Sequence, residues 1–309
     1  MIGFLYMFTL RHLQFLIAVA DTSNFSRAAE ISFVTQPTLS AGIKELEDRL
    51  GVRLIERTRR SVMLTPLGDQ IVERARALLL DAKEIEELAH AHQDPEIGDL
   101  RLGAIPTIGP YLIPQALPLI RARFPGLRLY LREEMTESLI EGLNKGRLDV
   151  ILIALPFDTG SLEIRHLFED GYQLATPPNA SQPRQTGHSA LKDVGQLMLL
   201  EKGHCLQRHA LQAYPDRPLE QDETFAATSL TTLVAMVSEG LGVTLLPNLA
   251  IDAGIVSKAE VSLTPLPDAC PRQIVLAWRT NSARKDLFVK LSDVLCQTRQ
   301  LQNASIHDA

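Results

Sequence analysis

The stretch Asn24-Phe-Ser-Arg-Ala-Ala-Glu30, followed by Val34-Thr-Gln-Pro-Thr-Leu-Ser-Ala-Gly-Ile-Lys-Glu-Leu-Glu-Asp-Arg-Leu50, decides how this chain is read. Ser26 can cap a short helix running to Ile31, and the small Ala28 and Ala29 let a second helix cross closely above it. Thr35 or Gln36 can cap that second helix, and Pro37 suits its first turn. Leu39, Ile43, Leu46 and Leu50 give it a buried stripe, while Gln36, Thr38, Ser40 and Lys44 keep its N-terminal half polar. A recognition helix needs this division: one side grips the first helix and the N-terminal side chains meet base edges. The predicted DNA-facing set is Ser26, Arg27, Thr35, Gln36, Pro37, Thr38, Ser40 and Lys44.

Immediately downstream, Val52 to Ile55 and Val62 to Leu64 read as a two-stranded wing with Arg57, Arg59 and Arg60 at its tip. Arg53, Arg57, Arg59 and Arg60 thus concentrate on one element, where they can hold phosphates and position the head. Residues 1–65 carry eight Lys/Arg against six Asp/Glu, a net +2 on a chain whose total is −6, so the basic charge gathers in the head. Upstream, Ala18-Val19-Ala20 has the form of a signal-peptidase site, but Arg11-His12 would interrupt the apolar region. The recurrence of Leu10, Leu13, Ile17 and Ala20 predicts an amphipathic helix of a cytoplasmic protein instead, with Met1 to Tyr6 as an extension.

After the wing comes a long helix. Thr65 can cap it, Pro66 fits its first position and Asp94-Pro95 closes it. Leu67, Ile71, Ala75, Leu78, Ala82, Ile85, Ala89 and His92 follow alternating spacings of four and three, the pattern of a coiled-coil seam. Asp69, Glu73, Arg74, Arg76, Lys83, Glu84 and Glu87 occupy the other face. So narrow a stripe predicts a second subunit as its partner rather than the helix's own domain.

From residue 98 onward, strands and helices alternate, which predicts an α/β body with parallel pairing. Strands are expected at Leu100–Ile105, Leu127–Arg132 and Asp149–Leu155, with helices near 109–123 and over Thr136–Asn144. Further strand signals lie near 172–176, 197–200, 243–246 and 274–278, and further helices near 205–213, 229–239 and 284–300. The predicted organisation is a winged helix-turn-helix over 1–65, a linker helix over 66–94 and a regulatory domain over 95–309. That last part divides into one subdomain of 98–167 with 271–303 and a second of 168–270.

Three features of the body suggest a sensor. Thr107, after the first strand, and Thr136, after the second, stand at helix starts, where free N–H groups favour anions and a hydroxyl adds a donor. Simple capping explains a threonine there equally well. Cys205 lies at another helix start among Lys202, His204, Arg208 and His209, a setting that can lower a thiol pKa. A thiolate is the species that a peroxide attacks, giving a sulfenic acid first. The competing reading is an inert buried cysteine.

Composition excludes several classes. Hydrophobic residues are 45% and charged residues 22%, the balance of a globular protein rather than a disordered or repetitive one. Three cysteines are too few for a disulfide scaffold. The chain has no P-loop, no dinucleotide fingerprint and no zinc spacing, so no cofactor, no metal and no enzymatic activity are predicted. A solute-binding protein would use the body but leave residues 9–65 without a task.

The run from Phe25 to Arg60 strongly resembles the winged helix-turn-helix of LysR-type transcriptional regulators. Ala28-Ala29, Gln36-Pro37-Thr38-Leu39-Ser40, Leu46-Glu47, Leu50-Gly51, Leu54-Ile55-Glu56-Arg57 and Leu64-Thr65-Pro66-Leu67-Gly68 are all in register with it. The resemblance extends over the whole chain and implies a two-part effector domain of the periplasmic-binding-protein type. It also implies a homodimer or homotetramer on paired half-sites of double-stranded promoter DNA, with activation exerted through RNA polymerase.

Within the body, Pro106-Thr107-Ile-Gly-Pro-Tyr-Leu, Thr136, Gly203-His204-Cys205-Leu206, Phe225-Ala-Ala-Thr-Ser-Leu and Gly242-Val-Thr-Leu-Leu-Pro247 look like the OxyR-like, peroxide-sensing branch. By that match Cys205 stands at the peroxide-reactive position. Thr107, Thr136 and His204 stand at polar pocket positions, Phe225 at a neighbouring aromatic, and Arg272 at a basic residue assisting the cysteine. The departures are equally informative. Position 214, where the branch has its second cysteine, is Tyr214; Gln207-Arg208 replaces an Arg-Asp pair, and Thr224 replaces a histidine. The usual disulfide is therefore impossible, which resembles an LsrB-type subgroup. A sulfenate, a mixed disulfide, or a pair with Cys270 or Cys296 remain as the outcomes of oxidation. The alternative regulator answers to a small anionic or metabolite ligand at Thr107, Ser229 and Thr136. Either signal would act by repacking the halves of the body and rotating the dimer partners on DNA.

Overall fold

The computed structural model describes residues 8–57, 62–93, 96–178, 196–201, 203–214 and 226–307. They form two compact units, residues 1–90 and 91–309.

The first unit opens with α1 (Leu10–Thr22), α2 (Phe25–Ile31) and α3 (Gln36–Leu50). Leu16, Ala28, Leu39, Ile43, Leu46 and Leu54 are fully buried at its centre. In α1 the buried face is Leu13, Phe15, Leu16, Ala18 and Val19, whereas Leu10 of the predicted stripe is exposed and Ile17 and Ala20 are half-buried. The core-facing stripe is thus rotated from the predicted one. Gly42 explains how closely α3 crosses α1: a Cβ there would come within 2.7 Å of the Phe15 ring. Asn24, not Ser26, caps α2, its side chain accepting from the Arg27 N–H. Thr35 caps α3 through the Thr38 N–H, as one of the two predicted capping residues, and Gly51 ends it at φ 69°.

The wing is β1 (Ile55–Arg57) paired antiparallel with β2 (Val62–Leu64). Its first strand starts at Ile55 rather than Val52, because the segment before it is held by a buried carboxylate. Glu47 Oε1 accepts the N–H groups of Leu54 at 2.8 Å and Ile55 at 3.1 Å. The long helix α4 (Pro66–Gln93) follows, with Thr65 capping it through the Gly68 N–H at 2.9 Å.

The apolar stripe of α4 divides its allegiance. Val72 and Ala75 are buried in the head core, with Ile71 and Leu79 at its edge, and Arg76 is ion-paired to Asp21 of α1. Leu67, Leu78 and Ile85 are exposed. The predicted seam is therefore two stripes, since an ordinary helix advances 3.6 residues per turn rather than 3.5. The side chains of Lys83, Glu84, Glu87, Ala89 and His92, the terminus at Asp94-Pro95, and Met1 to Tyr6 lie outside the described residues.

The second unit holds two sheets. The larger has the order β4 (Leu127–Glu133), β3 (Gly98–Ala104), β5 (Val150–Leu155), β12 (Arg272–Arg279), β6 (Leu162–Asp170). β3 is parallel to β4 and β5, joined by α5 (Gly109–Arg123) and α6 (Thr136–Asn144). β12 returns antiparallel to both β5 and β6, so the predicted parallel pairing holds only for the first three strands. β6 was not anticipated: the alternation of Leu162-Glu-Ile-Arg165 is short, and it breaks at His166-Leu-Phe168, where the pairing with β12 shifts register. α10 (Lys285–His307) packs across this sheet and α5.

The smaller sheet has the order β10 (Thr244–Pro247), β7 (Tyr172–Thr176), β11 (Ser262–Pro265), all antiparallel. Beside it lie the short parallel pair β8 (Leu199–Leu200) and β9 (Ala226–Ala227), with α7 (Cys205–Leu211), α8 (Leu230–Ser238) and α9 (Asn248–Asp252). Each sheet has its own buried cluster. Cys205 belongs to the cluster of the larger sheet, whereas Leu206 and Ala210 of α7, and Ala213 and Tyr214 just beyond it, belong to the smaller. The first residue of α7 therefore pins one core to the other. Among the described residues, no helix is long and apolar enough to cross a membrane.

Candidate functional site

Two polar surfaces matter, one in each unit. In the head, Arg27, Thr35, Gln36, Pro37, Thr38 and Lys44 are exposed around the start of α3, and Ser40 is half-buried. Ser26 Oγ donates to Gln36 Oε1 at 3.0 Å, and the hydroxyls of Thr35 and Thr38 are 2.8 Å apart. These bonds orient short polar side chains on a surface held from behind by Leu39, Ile43 and Leu46. Arg53 is exposed and donates to Glu47 Oε2 at 3.3 Å. Arg57 is the last residue of β1, and Arg59 and Arg60 lie outside the described residues. The head therefore offers exposed hydrogen-bonding groups around the start of α3 and exposed cations at Arg27, Lys44 and Arg53, the kinds of group that a nucleic-acid groove and its phosphates accept.

In the body the organising residue is Arg272, which opens β12 and is 1% exposed. Its guanidinium donates to Asp170 Oδ2 from Nε at 3.0 Å and Nη2 at 2.8 Å. It also donates to Thr107 Oγ1 from Nη1 at 2.9 Å and to the Thr107 carbonyl from Nη2 at 3.0 Å. Asp170 spends its other oxygen on the Leu249 N–H at 2.8 Å, which anchors α9. The side chains of Arg272 and Asp170 are fully buried, so neither charge is screened by water and each depends on the other.

Thr107 is therefore not a cap; its hydroxyl oxygen accepts from Arg272. α5 begins beyond it, and its N-cap Ile108 makes no side-chain capping bond. Thr136 is the first residue of α6 and does not cap it either. Its hydroxyl is buried without a full hydrogen bond, and it faces the Cys205 thiol closely enough to favour the thiolate. Ser229 does act as a cap, accepting from the Thr232 N–H at 3.2 Å at the start of α8.

Cys205 is 4% exposed, and its burial pushes the thiol above its ordinary pKa. The guanidinium of Arg272, the Thr136 hydroxyl and Arg208 pull the other way without prevailing. Of the two readings the sequence allowed, burial prevails: the cations gathered in sequence around Cys205 do not offset desolvation of the sulfur. His204 is held by the Thr228 backbone and has its pKa lowered mainly by burial; its Nε2 has no partner. His209 donates from Nε2 to the Pro156 carbonyl at 3.2 Å, its Nδ1 is unpartnered, and burial drives its pKa down to about 4. Lys202 and Phe225 lie outside the described residues.

Sequence reasoning missed three neighbours. Asp170 ends a strand whose pattern shows no special position. Tyr172, 2% exposed, has a hydroxyl without a hydrogen-bond partner within electrostatic reach of Arg272, Asp170 and Cys205. Tyr111 of α5 is hydrogen-bonded to Thr231. Only burial and pairing across 102 residues mark Asp170, and no local motif encodes either.

Comparison with known proteins bears on both surfaces. Residues 10–69 match the family model for the bacterial regulatory helix-turn-helix protein, lysR family, and residues 93–298 match the LysR substrate binding domain. The HTH-type transcriptional regulator EstR of Acinetobacter baylyi is 40% identical over 93% of this chain and 96% of its own. The DNA-binding transcriptional dual regulator OxyR of Escherichia coli K12 is 36% identical over 93% of this chain and 94% of its own. A full-length OxyR variant from Pseudomonas aeruginosa superposes with a TM-score of 0.76 at 35% identity, covering 94% of this chain and 95% of that one. A Corynebacterium glutamicum OxyR mutant solved with H2O2 bound gives 0.65 at 29%, covering 97% and 95%. With both units matched by models of one family, and with full-length relatives above the level at which likeness is confined to the fold, the chain belongs to the LysR family of helix-turn-helix transcriptional regulators, on its OxyR-like branch.

Proposed function

We propose that this regulator switches promoter activity in response to a hydroperoxide, sensed at Cys205. The observation that carries the reading is the set of buried polar atoms around that thiol. Thr136 Oγ1 meets only the thiol itself, while the Tyr172 hydroxyl, within electrostatic reach of Cys205, and Nε2 of the adjacent residue His204 lack hydrogen-bond partners. Buried polar groups are nearly always satisfied, so such under-satisfied atoms in the region of the thiol suit a small polar guest able to donate and accept. Arg272 supplies a fixed positive charge that favours the thiolate at the moment of attack. Burial restrains the resting thiol from unselective oxidation, and the solved complex of a relative with H2O2 agrees with the choice of oxidant.

In this reading Cys205 reacts, Thr136, His204 and Phe225 hold the oxidant, and Arg272 with Thr107 sets the charge. Ser26, Arg27, Thr35, Gln36, Pro37, Thr38, Ser40 and Lys44 meet promoter DNA, while Arg53, Arg57, Arg59 and Arg60 hold phosphates beside it. The exposed Leu67, Leu78 and Ile85 of α4 support self-association through that helix into a dimer or tetramer. The chain acts in the cytoplasm as a switch upstream of RNA polymerase and not as an enzyme.

Thiol modification at graded peroxide and promoter output of Cys205→Ser test the proposal together. Loss of the peroxide response in the variant is expected, and an unchanged dose response overturns it. A second reading, a regulator of a reversible small ligand, is favoured by EstR, whose name carries no oxidant. Against it, the Thr107 and Ser229 oxygens already accept internal bonds from Arg272 and from the Thr232 N–H. Calorimetry on Cys205→Ser with candidate ligands separates the two, since only the second reading survives loss of the cysteine.

A further inference from the structure

We propose that Cys270 is the second redox cysteine of this chain, condensing with oxidised Cys205 to form an intramolecular disulfide. The inference rests on the oxidant-sensing role proposed for Cys205 and names the partner that completes it.

The chain has three cysteines, and Tyr214 stands nine residues after Cys205, where the resemblance leads one to seek the partner. Tyr214 is buried, and its hydroxyl donates to Asp268 at 2.9 Å. Yet the fold brings a different cysteine to the same place. The Cys270 N–H donates to the carbonyl of Ala213, the residue before Tyr214, at 2.7 Å. Cys270 is therefore docked at the far end of the segment that begins with Cys205, and it lies two residues before Arg272, whose charge acts on the Cys205 thiol.

Three further observations support the pairing. Cys270 is exposed, so the incoming thiol is accessible. Beside it opens a pocket of about 250 Å³ whose lining includes Tyr172, Ala269 and Pro271. The unpartnered Tyr172 hydroxyl lies within electrostatic reach of both Cys205 and Cys270, an unsatisfied polar group shared by the two sulfurs. Cys296 is placed differently: it sits on α10, and its thiol donates to the Leu167 carbonyl at 3.4 Å.

The two cysteines are held at opposite ends of the segment that runs from Cys205 to Ala213. α7 rises about 9 Å over its six steps from Cys205 to Leu211, two residues short of Ala213. A disulfide needs Cα atoms within about 4.4–6.8 Å. The first turn of α7 must therefore leave its seat, withdrawing Cys205 from the core of the larger sheet while Leu206 and Ala210 belong to the smaller one. Oxidation thus removes the pin between the two cores, which gives the switch two states of different packing.

The chemistry balances in two steps. The Cys205 thiolate attacks one oxygen of a hydroperoxide; an S–O bond forms, the O–O bond breaks, and water or an alcohol leaves, giving the sulfenic acid. The Cys270 thiolate then attacks the Cys205 sulfur; an S–S bond forms, the S–O bond breaks, and the departing hydroxide takes a proton to become water. Two thiols are oxidised and one hydroperoxide is reduced.

The test uses the reduced full-length chain, treated with stoichiometric hydrogen peroxide and mapped by non-reducing peptide mass spectrometry. A Cys205–Cys270 cross-linked peptide is expected in the parent and in Cys296→Ser, and it is absent from Cys270→Ser and Cys205→Ser. In Cys270→Ser, the Cys205 sulfenate trapped by a cyclic dione should persist at least tenfold longer. Unaltered DNA binding by reduced Cys270→Ser shows that the exposed substitution has not disturbed folding. Oxidation of Cys205 with an equal sulfenate lifetime in Cys270→Ser, or a bond to Cys296 or to a second chain, overturns the pairing and leaves the sensing role standing. No oxidation of Cys205 in any variant overturns the sensing role, and the pairing falls with it.

Discussion

Around the start of α3, Ser26 bonds Gln36 and Thr35 meets Thr38 in full contact with solvent, whereas around Arg272 the charges and hydroxyls are sealed from water. The first surface is polar at no cost to stability, because water serves any group left over. The second is polar at a high cost, and each group there is committed to a partner or left unsatisfied. The contrast teaches that the head's specificity can be altered with little effect on folding, while the sensor's chemistry and the body's stability are one system.

Four measurements would break or sharpen this comparison. Asp170→Ala leaves the Arg272 guanidinium buried without its counter-ion, and chemical denaturation should show a loss of about 3–5 kcal/mol. A loss below 1 kcal/mol would mean that water reaches the pair. The next effect comes from pH. The pKa of His209 falls from its ordinary 6.5 to about 4 in the folded chain. Folding therefore favours its neutral form: the contribution is complete above pH 6.5 and is lost as pH falls towards 4, up to about 3 kcal/mol. The denaturation midpoint of His209→Gln should depend less steeply on pH over that window than the parent's, and parallel curves would refute the assignment.

On the exposed surface, Gln36→Ala should weaken specific promoter binding by about 1–3 kcal/mol, or roughly 5–150-fold, as read by mobility shift. Its unfolding free energy should stay within about 0.5 kcal/mol of the parent's. A large stability loss would show that Gln36 is structural. The smallest effect separates two neighbours: Asn24→Ala should cost about 1 kcal/mol of head stability through its lost cap, and Ser26→Ala much less. The reverse order would restore Ser26 as the cap.

Legibility in the sequence followed the range of the forces involved. The recognition helix was readable because its cap, its proline and its apolar stripe lie within fifteen residues of one another. The first α/β units were readable for the same reason, as strand and helix periods alternate over short distances. The rotation of the buried face in α1 was not, because Leu10 and Leu13 look alike until α3 chooses which to cover. The seam of α4 likewise looked single until Val72 and Ala75 were claimed by the head. In the body, Cys205, Thr136, His204 and Arg272 were singled out by resemblance, and local sequence left the thiol open between activation by cations and simple burial. Charges near Cys205 in sequence count for less than the water removed from around it.

The sequence by itself determined that a winged helix-turn-helix precedes an α/β body, and which short polar residues crown its third helix, because capping, periodicity and turn chemistry act between near neighbours. Only the tertiary structure decided that Asp170 neutralises Arg272, that Tyr172 stands unpaired beside the thiol, and that Cys270 reaches the end of α7. Those relations join residues scores of positions apart, and they arise where close packing excludes water and leaves each polar group only the partners the fold brings to it.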